Sequence, residues 1–226
     1  GYSTPSNRTP CLRRVKLLIK RQRKCYRAQS RFKQEGVRKL ARKKTFHVFK
    51  EANRTGPYDE RPMLPDSTDI QLFMSRNDHA QPFHLICGKD TLLCQISGKG
   101  RVDFMGTCIN YYPLVAGDYI YVPAGAPHRL VPDGENITVR YKAKDAGLEG
   151  VSWYCRNCSN ELFREVWDTA ETISHEAYLR LTKNFSADLE LRTCEECSEV
   201  HDPVDVNPYR WEVIAEEIRE EQAKSA

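Results

Sequence analysis

The stretch DYIYVPAGAPHRLVP, residues 118–132, decides the fold. Its apolar first half is typical of a β-strand, and it ends at Pro123 and Gly125, residue types that turn the chain. His128 follows at the position where a chain entering a β-barrel would carry a side chain inward. The stretch therefore predicts one corner of a small barrel, and it raises the question of whether His128 binds a metal.

Five short segments with β-strand composition make up the surrounding body. They read IQLFMS, TLLCQIS, RVDFMG, DYIYVP and ITVRYK. Turn residues separate them at intervals of roughly ten, which is typical of an antiparallel sandwich or barrel. We therefore predict a mainly β fold with a barrel over residues 70–150. A linker rich in Pro, Gly and polar residues precedes it over residues 53–69.

Four of the nine cysteines form two C-x2-C pairs, in WYCRNCSNELFREV and LRTCEECSEVH. An odd cysteine count with paired spacings fits metal binding in a reducing compartment better than a disulfide framework. Four thiolates on two tight turns suit tetrahedral zinc and leave no open position for chemistry, with iron in the same site as the minor alternative. We predict a structural zinc site within residues 151–203, with the ligands Cys155, Cys158, Cys194 and Cys197.

Charge is divided sharply along the chain. Residues 1–50 hold 17 Lys and Arg against a single acid, Glu35, whereas residues 51–226 hold 18 against 30 acids. The segment 11–44 has a composition compatible with a helix, but its apolar stripe of Leu12, Val15 and Ile19 is too thin to bury a core. We predict a basic, largely helical extension over residues 1–52 that needs a partner.

Three uses could account for this extension. A block of like charges can be a solvated tail, and an Arg-rich segment poor in acids can be a mitochondrial targeting sequence. Binding to nucleic acid is the use that most rewards charge on one segment, and a first residue of Gly1 rather than Met, as after processing or shortening, favours it.

The sequence carries no helix-turn-helix, zinc-finger or RNA-recognition signature, which favours the RNA backbone over a specific base sequence. The RNA contacts that we predict are Arg13, Arg14, Lys16, Lys20, Arg21, Arg23, Lys24, Arg27, Arg31, Lys33, Arg38, Lys39, Arg42, Lys43 and Lys44.

The spacing from Gly117 through Pro123 and Gly125 to His128 resembles the second sequence motif of the cupins. Together with WYCxxC and the later CxxCxxVH, it resembles 3-hydroxyanthranilate 3,4-dioxygenase in the form that carries a rubredoxin-like zinc knuckle. The resemblance covers roughly residues 66–203. It implies a double-stranded β-helix barrel in which Fe(II), held by two histidines and a carboxylate, opens the ring of an aminophenol with O₂.

The resemblance also implies a set of iron ligands on this chain. His128 matches the second histidine and His84 the first, since their separation suits the family. Counting forward from His84, the family's glutamate falls at Asp90; counting back from QISG, which resembles the family's QLxG, it falls at Thr91. A shift of one residue in a strand reverses the face that a side chain occupies. An active enzyme would use His84, Asp90 and His128, and no catalytic residue is assigned beyond this set.

The family's substrate-binding groups are not matched. Where the family has an arginine four residues before the first histidine, this chain has Ala80, or Gln81 in the shifted register, and its partner position after the second histidine holds Pro132. The family's glutamate on the following strand is absent from ITVRYK, where Arg140 and Lys142 stand. An aminobenzoate carboxylate would lack a bidentate clamp here. The resemblance therefore points to a diverged, non-catalytic homologue.

Two helices are expected near the C-terminus. Residues 169–186 have a helical pattern, and residues 204–226 contain an acidic amphipathic helix with Trp211, Ile214 and Ile218 on one face. Such a face docks on the body of its own protein or on a protein partner more often than it forms a cofactor site.

Three functions fit these observations. The first is a structural RNA-binding component of a large ribonucleoprotein, preferably a mitochondrial ribosome. Under this hypothesis the protein is a pseudoenzyme that binds structural zinc. Its partners are rRNA and neighbouring proteins, and it is located in the mitochondrial matrix or, alternatively, in the cytoplasm. The second is a non-haem Fe(II) dioxygenase acting on an altered aromatic substrate, and the third a cupin that binds a small ligand without turnover. No apolar run approaches the roughly 20 residues that cross a bilayer, so we expect a soluble protein with no membrane partner.

Overall fold

The structure is a computed structural model that describes residues 60–62 and 69–225. The predictions for the basic extension, including its helical character and its RNA contacts, concern residues outside this set. Most of the linker also lies outside the described residues. The described residues therefore make up the body of the protein.

Nine strands and three helices occur in the described part of the chain. The strands are β1 (Arg61–Pro62), β2 (Ile70–Asn77), β3 (His84–Cys87), β4 (Thr91–Phe104), β5 (Tyr111–Val115), β6 (Tyr119–Val122), β7 (His128–Ala143), β8 (Leu148–Tyr154) and β9 (Glu161–Asp168). The helices are α1 (Ser174–Ala187), α2 (Leu189–Arg192) and α3 (Trp211–Ser225).

Every strand pairing is antiparallel, and β7 is the hub of the sheet. It pairs with β2, β3 and β4, and β4 pairs in turn with β5 and β6. On the far side, β3 continues through β8 to β9. This order is that of a sheet folded back on itself. The two longest strands, β4 and β7, each pair with strands of both halves. This confirms the prediction of a mainly β, cupin-type barrel.

A bulge on β4 lets the long strands bend. The β4–β7 register shifts between Gln95 and Ser97 and again before Lys99. Gly98 lies at this bulge with a φ of +73°, and a Cβ there would stand 2.5 Å from the carbonyl oxygen of Glu135. Only glycine tolerates both the positive φ and this approach, so the QISG sequence is explained by the need to bend the strand.

Helix α1 packs its apolar face into the main hydrophobic core, which it shares with barrel residues such as Leu85. Ala177, Tyr178, Leu181 and Phe185 are buried there, and the Tyr178 ring lies 4.9 Å from that of Phe83. Burial of side chains of the size of Leu181 and Phe185 stabilises the fold by about 1.5–3 kcal/mol each. The sequence pattern predicted a helix over residues 169–186, and the structure has it at Ser174–Ala187, so the first five predicted residues precede the helix.

Helix α3 docks on the same region. Trp211 and Ile214 are buried, Trp211 stacks on Tyr209 at 4.5 Å, and Ile218 is half-buried. Of the two expectations for this apolar face, docking on the body accounts for the described contacts. No helix in the described ranges has both the length and the hydropathy needed to span a bilayer.

Candidate functional site

The four predicted zinc ligands meet at one point. The Sγ atoms of Cys155, Cys158, Cys194 and Cys197 all lie within 4.8 Å of one another. The Cys155 and Cys197 sulfurs are 3.4 Å apart, and those of Cys158 and Cys194 are 3.5 Å apart. A tetrahedral site with metal–sulfur bonds of about 2.3 Å has edges of about 3.8 Å, so the cluster fits one metal ion with a closed shell of four sulfurs.

Two matching turns present these sulfurs. In each, the N–H of the first cysteine donates to the carbonyl five residues on, and its own carbonyl accepts from the serine four residues on. That serine, Ser159 in one turn and Ser198 in the other, has a φ near +60° (62° and 60°). A non-glycine residue in this conformation costs about 1–3 kcal/mol and persists only where the surroundings enforce it. The local sequence therefore builds two knuckles that face each other.

The pKa values of two thiols in the cluster are shifted in opposite directions. N–H groups of Cys158 and then Asn157 lower the pKa of Cys155, although burial opposes them. At Cys158 the amide of Asn160 favours the thiolate, but burial and the neighbouring thiols raise the pKa to about 12. Four thiolates this close repel one another, and a divalent cation removes that repulsion.

The three predicted iron ligands are not brought together. Of them, His128 alone points into the barrel. It is fully buried, and its ring faces that of Phe104 at 6.1 Å. Its Nδ1–H donates to the carbonyl of Ala126 at 2.9 Å, which fixes the tautomer and leaves Nε2 as the acceptor.

The guanidinium of Arg140 donates a hydrogen bond to Nε2 of His128. Its NH1 lies 2.5 Å from Nε2 of His128, and a guanidinium can only donate. A histidine binds a metal through this same lone pair. Burial, followed by the positive charge of Arg140, holds the pKa of His128 well below its ordinary value. In this arrangement a cationic side chain stands where a metal would bind.

His84 faces the other side of the sheet. On β3 it is Leu85 that pairs directly with His128, so the neighbouring His84 side chain projects to the opposite face. There its ring packs edge-on against Tyr154 at 5.0 Å. Burial and then the charge of Arg129 lower the pKa of His84 to about 3. The expectation that His84 and His128 share a metal fails because of this alternation along the strand.

Asp90 is exposed and lies outside the barrel. Its Oδ1 accepts a hydrogen bond from the N–H of Ala124 at 2.9 Å, which ties the start of β4 to the loop before His128. The next residue, Thr91, is buried. The structure therefore follows the register that counts back from QISG. The inward position holds a hydroxyl rather than a carboxylate, and a two-histidine, one-carboxylate site does not fit these residues.

A balanced ionic network extends from Arg140. The Nε of Arg140 donates to Glu60 Oε1 at 2.9 Å, and Nζ of Lys142 lies 2.8 Å from Glu149 Oε1 and 3.9 Å from Glu60. All four side chains are less than 5% exposed. Burial alone would lower the pKa of Lys142, but Glu149, Cys87 and Glu60 together raise it.

The network also joins separate parts of the chain. Ser174, at the start of α1, donates to Glu149 Oε2 at 2.7 Å, and His175 Nε2 donates to the carbonyl of Glu60 at 2.5 Å. Sequence reasoning missed Glu60 and Glu149 as members. The available signal was the pair of cations at alternate positions of ITVRYK, which implied buried acids elsewhere.

No protein-family model matches this sequence, and no curated protein matches it. Among solved structures, the chain is similar to a hydroquinone 1,2-dioxygenase in complex with Cd²⁺ and 4-hydroxybenzonitrile, at 16% identity and a TM-score of 0.39, over 49% of this chain and 81% of that one. The hydroquinone 1,2-dioxygenase from Sphingomonas sp. TTNP3 with 4-hydroxybenzoate bound gives 13% identity and 0.39, over 48% and 81%.

A cupin-2 domain containing protein from Shewanella frigidimarina gives 16% identity and a TM-score of 0.35, over 39% of this chain and 83% of that one. At these scores the similarities carry no conclusion about activity or ligands. The antiparallel pairing of β2 to β9 is therefore the basis for the fold assignment.

Proposed function

We propose that this protein is a non-catalytic cupin that serves as a structural, RNA-binding component of a large ribonucleoprotein. The observation that carries the non-catalytic part of the proposal is the contact between Arg140 and Nε2 of His128. It removes the metal-binding lone pair of the only predicted ligand that enters the barrel. A fold of this kind that is filled with ion pairs has the features of a scaffold rather than of a dioxygenase.

The charge distribution supports RNA as the partner. Residues 1–50 carry 17 Lys and Arg and one acid, whereas the rest of the chain is acidic. Segments of this kind bind by neutralising phosphates and releasing condensed counterions. The acidic residues of the body repel RNA phosphates, so we expect the extension to make most of the RNA contacts. RNA binding and barrel packing then use different parts of the chain.

Zinc is the metal that we propose for the cysteine cluster. Its four-sulfur shell is closed, which suits a structural ion and leaves no position for a substrate. The knuckle also supports descent from an enzyme similar to 3-hydroxyanthranilate 3,4-dioxygenase, since WYCxxC and CxxCxxVH match that family's spacing. In this history the stabilising metal was kept while the iron site was replaced by Arg140.

The particle that we propose is a mitochondrial ribosome in the matrix, with rRNA and neighbouring ribosomal proteins as partners. This step rests on a general association, because such particles incorporate former enzymes lengthened by basic extensions. It does not rest on a particular residue.

The test is RNA binding by the purified full-length chain at several salt concentrations. For a single strand, the logarithm of the association constant should fall with the logarithm of salt at about −0.7 per neutralised phosphate. Replacing Arg21, Arg23, Lys24 and Arg27 with Gln should flatten the slope markedly. The control replaces Arg180 and Arg219, two exposed arginines of the body, with Gln and should leave the slope unchanged.

Metal analysis of the same preparation tests the other half of the proposal. After anaerobic incubation with Fe(II) and removal of free metal, we expect one zinc and no iron per chain. One iron per chain in addition to zinc, together with O₂ consumption in the presence of a phenolic substrate, would support the dioxygenase instead.

A further inference from the structure

A large cleft opens between the barrel and the cysteine knuckles. Its volume is about 970 Å³, within the range of ligand sites. The residues on which its chemistry depends are His84, Arg101, Asp103, Tyr111, Arg129 and Arg156. We name it the basic cleft. Arg101, Asp103 and Arg129 lie on the face of β4 and β7 opposite to His128, and the core residues Phe104 and Trp153 also line the cleft.

Cations outnumber acids in the basic cleft. Asp103 is shared by two guanidiniums, Arg101 with Nε at 2.6 Å and Arg129 with Nε and NH2 at 3.4 Å. One carboxylate therefore balances two positive charges. The side chain of Asp103 is 18% exposed, whereas those of Arg101 and Arg129 are 48% and 34% exposed. The less exposed carboxylate of Asp103 orients the two arginines, and their other N–H donors are available to a ligand in the cleft.

Two histidines are affected by this positive charge. For His84, burial and then Arg129 lower the pKa to about 3. For His201, at the knuckle side of the basic cleft, burial lowers the pKa, and Arg156 and Arg129 contribute. Both rings are therefore neutral near pH 7, when the arginines are charged. A bound anion would be attracted by the same guanidiniums that disfavour protonation of the rings.

An aromatic surface borders the charged one. Tyr111, at the start of β5, is 58% exposed, and Asp103 is its direct partner across the β4–β5 pair. Tyr154 also lines the basic cleft. Arginines beside an exposed aromatic ring are the combination that binds single-stranded nucleic acid, since phosphates pair with the cations and bases stack on the rings.

We propose that the basic cleft binds a single-stranded RNA segment, with Arg101 and Arg129 contacting a phosphate and Tyr111 stacking on a base. This proposal rests on the proposed RNA-binding function and adds a second contact surface on the body. The extension would supply most of the charge, and the basic cleft would hold one nucleotide in a defined place.

The experiment measures binding of a fluorescent U10 oligoribonucleotide to the full-length chain. Replacing Arg101 and Arg129 with Gln should weaken binding on the order of tenfold, because charge-assisted hydrogen bonds are lost. The salt slope should fall by about 0.7 for one phosphate. The matched control is Arg180→Gln, which removes an exposed arginine that pairs with Glu165 at 2.8 Å outside the basic cleft. It should change neither quantity.

Tyr111 tests the stacking contact separately. Tyr111→Phe keeps the ring and should bind U10 like the unmodified chain, whereas Tyr111→Ala should weaken binding about fivefold or more. Ultraviolet crosslinking of U10 should modify Tyr111 or Tyr154. Thermal unfolding of each variant checks that the barrel is intact. Because Tyr111 is exposed, neither substitution should lower the unfolding midpoint.

The outcomes separate this inference from the proposed function. If the full-length chain shows no salt-dependent binding of U10, the proposed function fails. If it binds U10 but the arginine and tyrosine variants bind equally well, the basic cleft is not an RNA site while the function stands. If uridine monophosphate or inorganic phosphate competes as well as U10 does on a molar basis, the ligand is a free phosphate compound and the inference is overturned.

Discussion

Replacement of Arg140 with Met is the perturbation that bears most directly on the barrel interior. Methionine fills a similar volume but removes the charge and the donors. The Glu60 carboxylate, 4% exposed, would lose its 2.9 Å partner, and Nε2 of His128 would lose its donor. Lys142 at 3.9 Å from Glu60 offers only partial compensation.

The expected loss is about 3–5 kcal/mol of unfolding free energy, because breaking one side of a buried ion pair removes the closest opposite charge from a buried carboxylate. Total stabilities of single domains are about 5–15 kcal/mol, so the effect is a large fraction of the whole. Adding Glu60→Gln should restore part of the lost unfolding free energy, since the buried carboxylate charge is then removed. A coupling energy of about 1–3 kcal/mol is expected for groups in one network.

Urea unfolding of the zinc-loaded protein, followed by tryptophan fluorescence, measures these energies. Arg180→Met provides the control, because its exposed pair with Glu165 should be worth at most about 1 kcal/mol. A loss below about 1 kcal/mol for Arg140→Met, or no recovery in the double variant, would refute the reasoning that the network is buried and mutually dependent.

Two further predictions concern protons and metal. His128 has a folded-state pKa below the unfolded value of about 6.5, so its contribution to stability is complete above that pH and is lost as the pH falls. Between pH 7 and 5 the unfolding free energy of the unmodified chain should fall by about 2 kcal/mol more than that of His128→Gln. Urea unfolding measures both, and equal losses would contradict a buried neutral ring. Cys155→Ser should abolish zinc binding and lower the unfolding midpoint by roughly 10 °C, whereas Cys108→Ser, an exposed thiol outside the cluster, should change neither; retained zinc would contradict the assigned ligand set.

The parts of this fold that sequence predicts well are determined by neighbouring residues. The knuckles follow from C-x2-C spacing followed by serine, so all four sulfur ligands could be located from the chain alone. The corner at Pro123 and Gly125 is likewise local, because particular backbone angles require particular residues. The bulge at Gly98 has the same kind of local cause, although the sequence pattern did not predict it. Helix α3 was predictable from the spacing of Trp211 and Ile214.

The parts that sequence left open depend on register and on distant contacts. Asp90 and Thr91 differ by one position, and only strand pairing decides which of the two faces inward. The same alternation places His84 away from His128. The pairing of Arg140 with Glu60 spans 80 residues, and Glu60 lies in a segment that composition predicts to be a linker. A buried ion pair of this kind has no local signature, although two cations in one strand indicate that acids must be found elsewhere.

Sedimentation of the native protein from its source, with and without ribonuclease treatment, tests the central claim most directly. We expect the protein to sediment with large particles, to move to the top of the gradient after ribonuclease digestion or in high salt, and to carry zinc without iron. A free oligomer that contains about one iron per chain and is insensitive to ribonuclease would contradict the claim that this barrel is a structural component of a ribonucleoprotein.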